Sequence, residues 1–111
     1  MDIKESDIQN SVNINIVAAT AFAQCSVACF VASTPAGQEG GTLIMTGATS
    51  ATRGAHSFGA FSAGKSGARA LSQSIAREYG PKGVHVCYVV SGFNSLLVHS
   101  TNVPDRLLTE P

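Results

Sequence analysis

The chain is poor in charge and aromatic residues, and it has no tryptophan. Seven Lys and Arg balance seven Asp and Glu, and charged residues make up 13% of 111 positions. A soluble domain typically carries about 25%, so much of the surface is expected to be covered by neighbouring structure or by another chain. Zero net charge without a basic run excludes nucleic acid as a partner, because phosphate binding needs clustered Lys and Arg. The three cysteines, Cys25, Cys29 and Cys87, are odd in number and irregular in spacing. That excludes a disulfide framework and points to a reducing, cytoplasmic setting. Four prolines without tracts and 44% hydrophobic residues exclude intrinsic disorder. The opening residues Met1 to Asp7 hold three acids and one lysine, which fits neither a secretory signal nor a transit peptide.

What the chain has in abundance is small residues: 39 of its 111 positions are Ala, Gly or Ser, a composition suited to close backbone approach. Its length predicts one domain at most. No charge occurs from Ile8 through Gln38, and mean hydropathy over Ile14 to Ala32 is roughly 1.8, near the value of a membrane span. Asn15, Thr20, Gln24 and Ser26 inside the stretch, and the lack of flanking basic or Trp/Tyr anchors, argue against a span. The reading preferred is a soluble helix over residues 6–33, covered on more than one face. Ile8, Val12, Ile16, Ala19, Ala23, Ser26 and Phe30 form one stripe at helical spacing, and Ile14, Val17, Ala21 and Ala28 a second.

Gly37, Gly40 and Gly41 mark a loop, and Thr42 to Thr46 a short buried strand. A second helix is expected over 58–79. Phe61, Gly64, Ala68, Leu71 and Ile75 form its apolar stripe, with Ala63, Gly67, Ala70 and Ser74 a small-residue face beside it. Gly80-Pro81 stops that helix. Val84 to Val90 is a strand, β-branched almost throughout. The order helix, strand, helix, strand predicts an α/β fold in which two parallel strands are joined through a helix as a βαβ unit. From Ser91 to Pro111 no period is sustained.

The stretches Gly41 to Ser50 (GTLIMTGATS), Phe61 to Lys65 (FSAGK), Ala68 to Glu78 (ARALSQSIARE) and Gly83 to Val86 (GVHV), in this order and spacing, resemble the central part of a short-chain dehydrogenase/reductase. The resemblance covers roughly residues 12–92. It implies a partial Rossmann-type domain over 1–92 followed by a divergent tail over 93–111. The implied activity is NAD(P)-dependent oxidoreduction of carbonyls and alcohols.

In that family a tyrosine four residues before a lysine exchanges a proton with the substrate oxygen, and the lysine lowers the tyrosine pKa and holds the nicotinamide ribose. A serine 13 residues before the tyrosine binds substrate, and an asparagine in the preceding helix supports the lysine. Lys65 matches the lysine and Asn15 the asparagine, with Asn13 the weaker candidate. Phe61 stands at the tyrosine position and Ala48 at the serine position. Ser91-Gly92 stands where the family's nicotinamide-side loop begins Pro-Gly.

The family's glycine-rich turn for the cofactor pyrophosphate, with the half of the domain that carries it, has no counterpart here. Gly37 to Gly41 precedes a strand, whereas a phosphate cradle opens a helix. The resemblance therefore implies a partial copy, expected to be inactive alone. Its two helices, 6–33 and 58–79, are those through which relatives pair. A homodimer, or pairing with a full-length relative, is the alternative role, with no membrane partner.

The remaining chemistry-bearing residues have structural explanations. Cys25 and Cys29, four apart, are expected as small core thiols rather than metal ligands. His85 and Cys87 share a strand face and are expected to pack. His56 and Ser57 are neighbours, which rarely gives triad geometry. Arg69, Arg77 and Glu78 are expected on an exposed helix face.

Overall fold

The computed structural model describes residues 2–91 and 96–100. A continuous helical rod occupies Glu5–Ser33, divided into α1 (Glu5–Val12), a π-helical segment (Asn13–Ala18) and α2 (Ala19–Ser33). The Asp7 carboxylate accepts the Lys4 amide at 3.2 Å, and Glu5 and Asp7 put negative charge where the helix dipole favours it. The wider π turn was not legible in the sequence. It falls at Asn15, and such segments are frequent at functional positions.

Beyond the loop come β1 (Thr42–Gly47), α3 (Gly59–Tyr79), β2 (His85–Ser91) and β3 (Leu96–Ser100). Strands β1 and β2 pair in parallel, from Thr42 opposite His85 to Gly47 opposite Val90, with α3 as the crossover. The expected βαβ unit is present, each element within one or two residues of its expected bounds. Gly83 turns the chain from α3 into β2 at φ +85°, and its carbonyl accepts the Gly40 amide at 2.7 Å, tying the two loops at that end of the sheet.

The divergent tail contributes an element the sequence pattern did not reveal. β3 pairs antiparallel with β2, giving the order β1-β2-β3. Backbone pairing needs no side-chain period, and five residues are too few to display one.

One face of the sheet is covered. Leu43 and Met45 from β1, with Val86, Tyr88 and Val90 from β2, form the core with Ala23 and Val27 of α2 and Ala68 and Ala76 of α3. The small residues act as expected: an added Cβ at Gly41 would strike the Phe30 ring, and one at Gly67 would lie 2.5 Å from Ile16. On the other face Thr42, Ile44 and Thr46 of β1 are exposed, while Cys87 of β2 is buried.

The expectation of a doubly covered first helix is not met among the described residues. Ala23 and Val27 are buried, but the second stripe is exposed, with Ile14 at 70% and Val17 at 57%. The helix is long and apolar enough by composition to cross a membrane, yet one face is engaged with α3 and the sheet. Cys25 and Cys29 also depart from expectation. Both are exposed, because they lie on the side of α2 opposite Ala23 and Val27.

The asymmetry of the sheet has a measurable consequence. Val86, fully buried, should lose about 2 kcal/mol on substitution Val86→Ala, from lost transfer energy and an unfilled cavity. Ile44→Ala on the other face should cost under about 0.5 kcal/mol. Urea denaturation of both variants checks the contrast.

Candidate functional site at the carboxyl end of the sheet

Open α/β sheets bind their ligands beyond the carboxyl ends of parallel strands. Here that end is formed by Thr46 and Gly47 of β1, an extended Ala48 (φ −149°, ψ 162°), a short turn over Thr49–Ala51, and the last residue of β2, Ser91. α3 runs alongside with Phe61 and Lys65 one turn apart and therefore on one face.

The Lys65 ammonium donates to the Thr46 carbonyl at 3.1 Å and lies 5.8 Å from the centroid of the Phe61 ring. Phe61 is 40% exposed and meets Phe58 edge-on, centroids 6.2 Å apart. The position one turn before the lysine thus presents an accessible benzyl ring with no proton to exchange. Ala48, the extended residue after β1, adds a methyl and no hydroxyl to this end.

Asn15 reaches the same helix from the opposite side. Its side-chain amide donates to the Ser11 carbonyl at 3.0 Å, and the Ser11 hydroxyl donates to the Ala60 carbonyl of α3 at 2.6 Å. The absence of a side chain at Gly64 permits this approach: a Cβ there would lie 2.8 Å from Asn15 Nδ2 and collide with the Ser11 hydroxyl. Asn15 therefore packs against the residue preceding Lys65. Among the described residues no hydrogen bond joins the two side chains.

Tyr88 of β2 was not singled out by sequence reasoning. Its hydroxyl donates to the Lys65 carbonyl at 3.0 Å, and the nearby Ala48 amide favours the phenolate. The ring fills the space beside Gly47, where any Cβ would collide with it. Burial pushes the phenol above its ordinary value of 10.0, against the lowering effects of the Ala48 amide and the Arg69 charge. Tyr88 is 1% exposed, so it positions the lysine turn rather than meeting substrate. A glycine ending one strand beside an aromatic on the next was the available signal.

The other candidates separate from this cluster. Ser91 stands at the carboxyl end as expected, and Gly92 lies outside the described residues. His56 and Ser57 are in contact (Nδ1 to Oγ 2.9 Å) and line an open cavity of about 440 Å³ with Asp2 and Ile3. No hydrogen bond joins Asp2 to His56 among the described residues. Cys87 is buried as expected, its sulfur 3.4 Å from His85 Nδ1, and the described residues hold no cluster of three or more metal-binding side chains.

A dinucleotide meets only part of what it needs here. Lys65 places one cation at the carboxyl end of the strands. For the pyrophosphate, the glycine loop lies at the amino end of the strands with the Gly40 amide already bonded to Gly83. The cavities of about 440 and 550 Å³ lined by Glu39, Gly80 and Gly83 are at that same wrong end. The described residues do not make a phosphate cradle.

Comparison with known proteins decides the relationship. The family model for short chain dehydrogenases matches residues 1–103. The chain belongs to the short-chain dehydrogenase family. The crystal structure of a short-chain dehydrogenase from Rhodopseudomonas palustris is similar, with a TM-score of 0.72 and 31% identity over 80% of this chain. The match covers 40% of that protein, so the chain corresponds to only part of its relative's length. No curated protein matches in sequence.

Tyr88→Phe keeps the ring beside Gly47 and removes the oxygen between Ala48 and Lys65. It should destabilise the chain by about 1–2 kcal/mol, because a buried acceptor loses its donor. The phenol's raised pKa also gives a sign in pH. The folded state holds the proton more tightly than the unfolded one, so stability present below the unfolded value is lost as pH rises through 10.0 toward the folded value. Denaturation curves between neutral and alkaline pH should show this decline in the parent, and it should be weaker in Tyr88→Phe.

Proposed function

We propose that this chain is the lysine-bearing part of an NAD(P)-dependent oxidoreductase of the short-chain type, and that by itself it does not complete the reaction. The cofactor, when bound, supplies or accepts the hydride. Hydride addition to a carbonyl leaves an alkoxide, which needs a proton from a nearby acid with a pKa near the working pH. The observation carrying this reading is Phe61, which occupies the acid's place in reach of the Lys65 ammonium and has no proton to give. Lys65 retains what the nicotinamide side requires of it, a cation on a rigid helix held at the carboxyl end of β1 by Thr46. Ala48 adds no hydroxyl to orient a substrate. The pyrophosphate would have to be held by residues other than those described. The absence of a disulfide framework supports a cytoplasmic setting for this activity.

Two measurements test the reading. The chain, assayed with NADH and NADPH against a panel of aldehydes and ketones, should show no oxidation of cofactor; turnover would overturn it. In Phe61→Tyr the new phenol should titrate below the ordinary value of about 10, because the ammonium one turn away favours phenolate. Adding Lys65→Met should abolish the shift. A phenol indifferent to Lys65 in ultraviolet titration would remove the lysine from its assigned role.

A specific observation favours a second role, association. The helical rod exposes Ile14 at 70%, Val17 at 57% and Phe22 at 65%, in a stretch without a charge. Such a surface suits pairing with a second copy or a full-length relative through 5–33 and 59–79. Light scattering after size exclusion should show a dimer that Val17→Glu converts to monomer; a parent that is already monomeric at high concentration would exclude self-pairing.

A further inference from the structure

Cysteine is among the most buried residue types, yet α2 exposes two free thiols, Cys25 and Cys29. They lie four residues apart in a regular stretch of α-helix, Ala19–Ser33, which puts their Cβ atoms about 5–6 Å apart on one face. Metal–sulfur bonds of about 2.3 Å allow a single ion to bridge sulfurs as far as about 4.6 Å apart, a separation that rotation about χ1 in two neighbouring side chains can reach. Within a single chain the surroundings leave the thiols uncommitted, and pairing of chains through Phe22 on the same face would compete with the clip. Ala21, Phe22, Ala28 and Ala32 share the face and are exposed, and none offers a hydrogen-bonding or charged side chain. The Ser33 hydroxyl, one turn on, donates to the Cys29 carbonyl rather than to sulfur. No Lys or Arg occurs between Ile8 and Gln38 to repel a cation.

We propose that Cys25 and Cys29 form a two-thiolate clip for a soft, thiophilic cation of low coordination number, of which monovalent copper is the type. The donor count decides the class. Structural zinc takes four protein ligands, and no third His, Cys, Asp or Glu joins the pair among the described residues. Soft thiolates favour monovalent copper, which two sulfurs in a near-linear arrangement can satisfy. Binding is a proton-for-metal exchange: two S–H bonds lose their protons to buffer, two Cu–S bonds form, and copper remains monovalent, so no oxidant or reductant is consumed.

The test is anaerobic titration of the reduced, full chain with a monovalent copper–acetonitrile complex, in competition with bathocuproine. One ion per chain should bind, with a thiolate-to-copper absorption band in the ultraviolet. Cys25→Ser and Cys29→Ser should each abolish the band, and Cys87→Ser should leave it intact. Both clip residues are exposed, and unchanged circular dichroism in their variants would separate loss of binding from loss of fold. Binding that survives Cys25→Ser, that depends on Cys87, or that saturates at one ion per two chains would overturn the single-chain clip, as would the absence of any band.

Discussion

The Tyr88 hydroxyl ties strand β2 to helix α3 at the carboxyl end of the sheet. The Tyr88 oxygen sits between the Lys65 carbonyl and the Ala48 amide, and its ring occupies the space left by the missing side chain at Gly47. Helix α3, the turn after β1 and strand β2 therefore meet at one buried point. The arrangement is demanding because a buried donor or acceptor without its partner is costly. It also sets the lysine turn against β1, where the ammonium reaches the Thr46 carbonyl. The counterpart on the other side of α3 is the contact of Ser11 and Asn15 with Ala60 and Gly64. Between these two anchors Lys65 has a defined backbone, whatever chemistry its side chain retains.

Among the described residues the sheet and the first helix are only partly covered. Among the described residues β1 is one of the two edge strands, its outer face shows Ile44, and the first helix shows Ile14 and Phe22. Parallel sheets are normally covered on both faces and exposed strand edges invite pairing. The low charge content agrees with this picture, since surfaces meant to be covered do not need to be solvated. Among the described residues Lys65 stands at the carboxyl end of β1, the ring of Phe61 beside it carries no ionisable proton, and no glycine loop opens a helix as a phosphate cradle would.

Much of this was legible before any coordinates. The glycine-bounded run from Thr42, the β-branched run to Val90 and the stripe through Phe61, Ala68 and Ile75 gave the βαβ unit nearly to the residue. The spacing of Phe61 and Lys65 gave the site its location. Asn15 was legible as a candidate, but not the π turn around it, because one wider turn barely disturbs an apolar period. Tyr88 was hidden for a different reason. Its role depends on Gly47 and Lys65, which are 41 and 23 positions away in sequence, and no local pattern reports such a meeting. β3 was hidden because backbone ladders carry no side-chain signature.

Sequence alone determined the order and type of the main elements, the absence of a phenol and a hydroxyl at positions 61 and 48, and the charge-free character of the first helix. These follow from local steric preference, apolar period and residue identity, which are properties of neighbours along the chain. Tertiary structure decided which faces were covered, so that Cys25 and Cys29, sequence-typical core residues, became surface thiols while Tyr88 became a buried strut. Burial is set by what packs opposite a residue, and that partner is chosen by the fold.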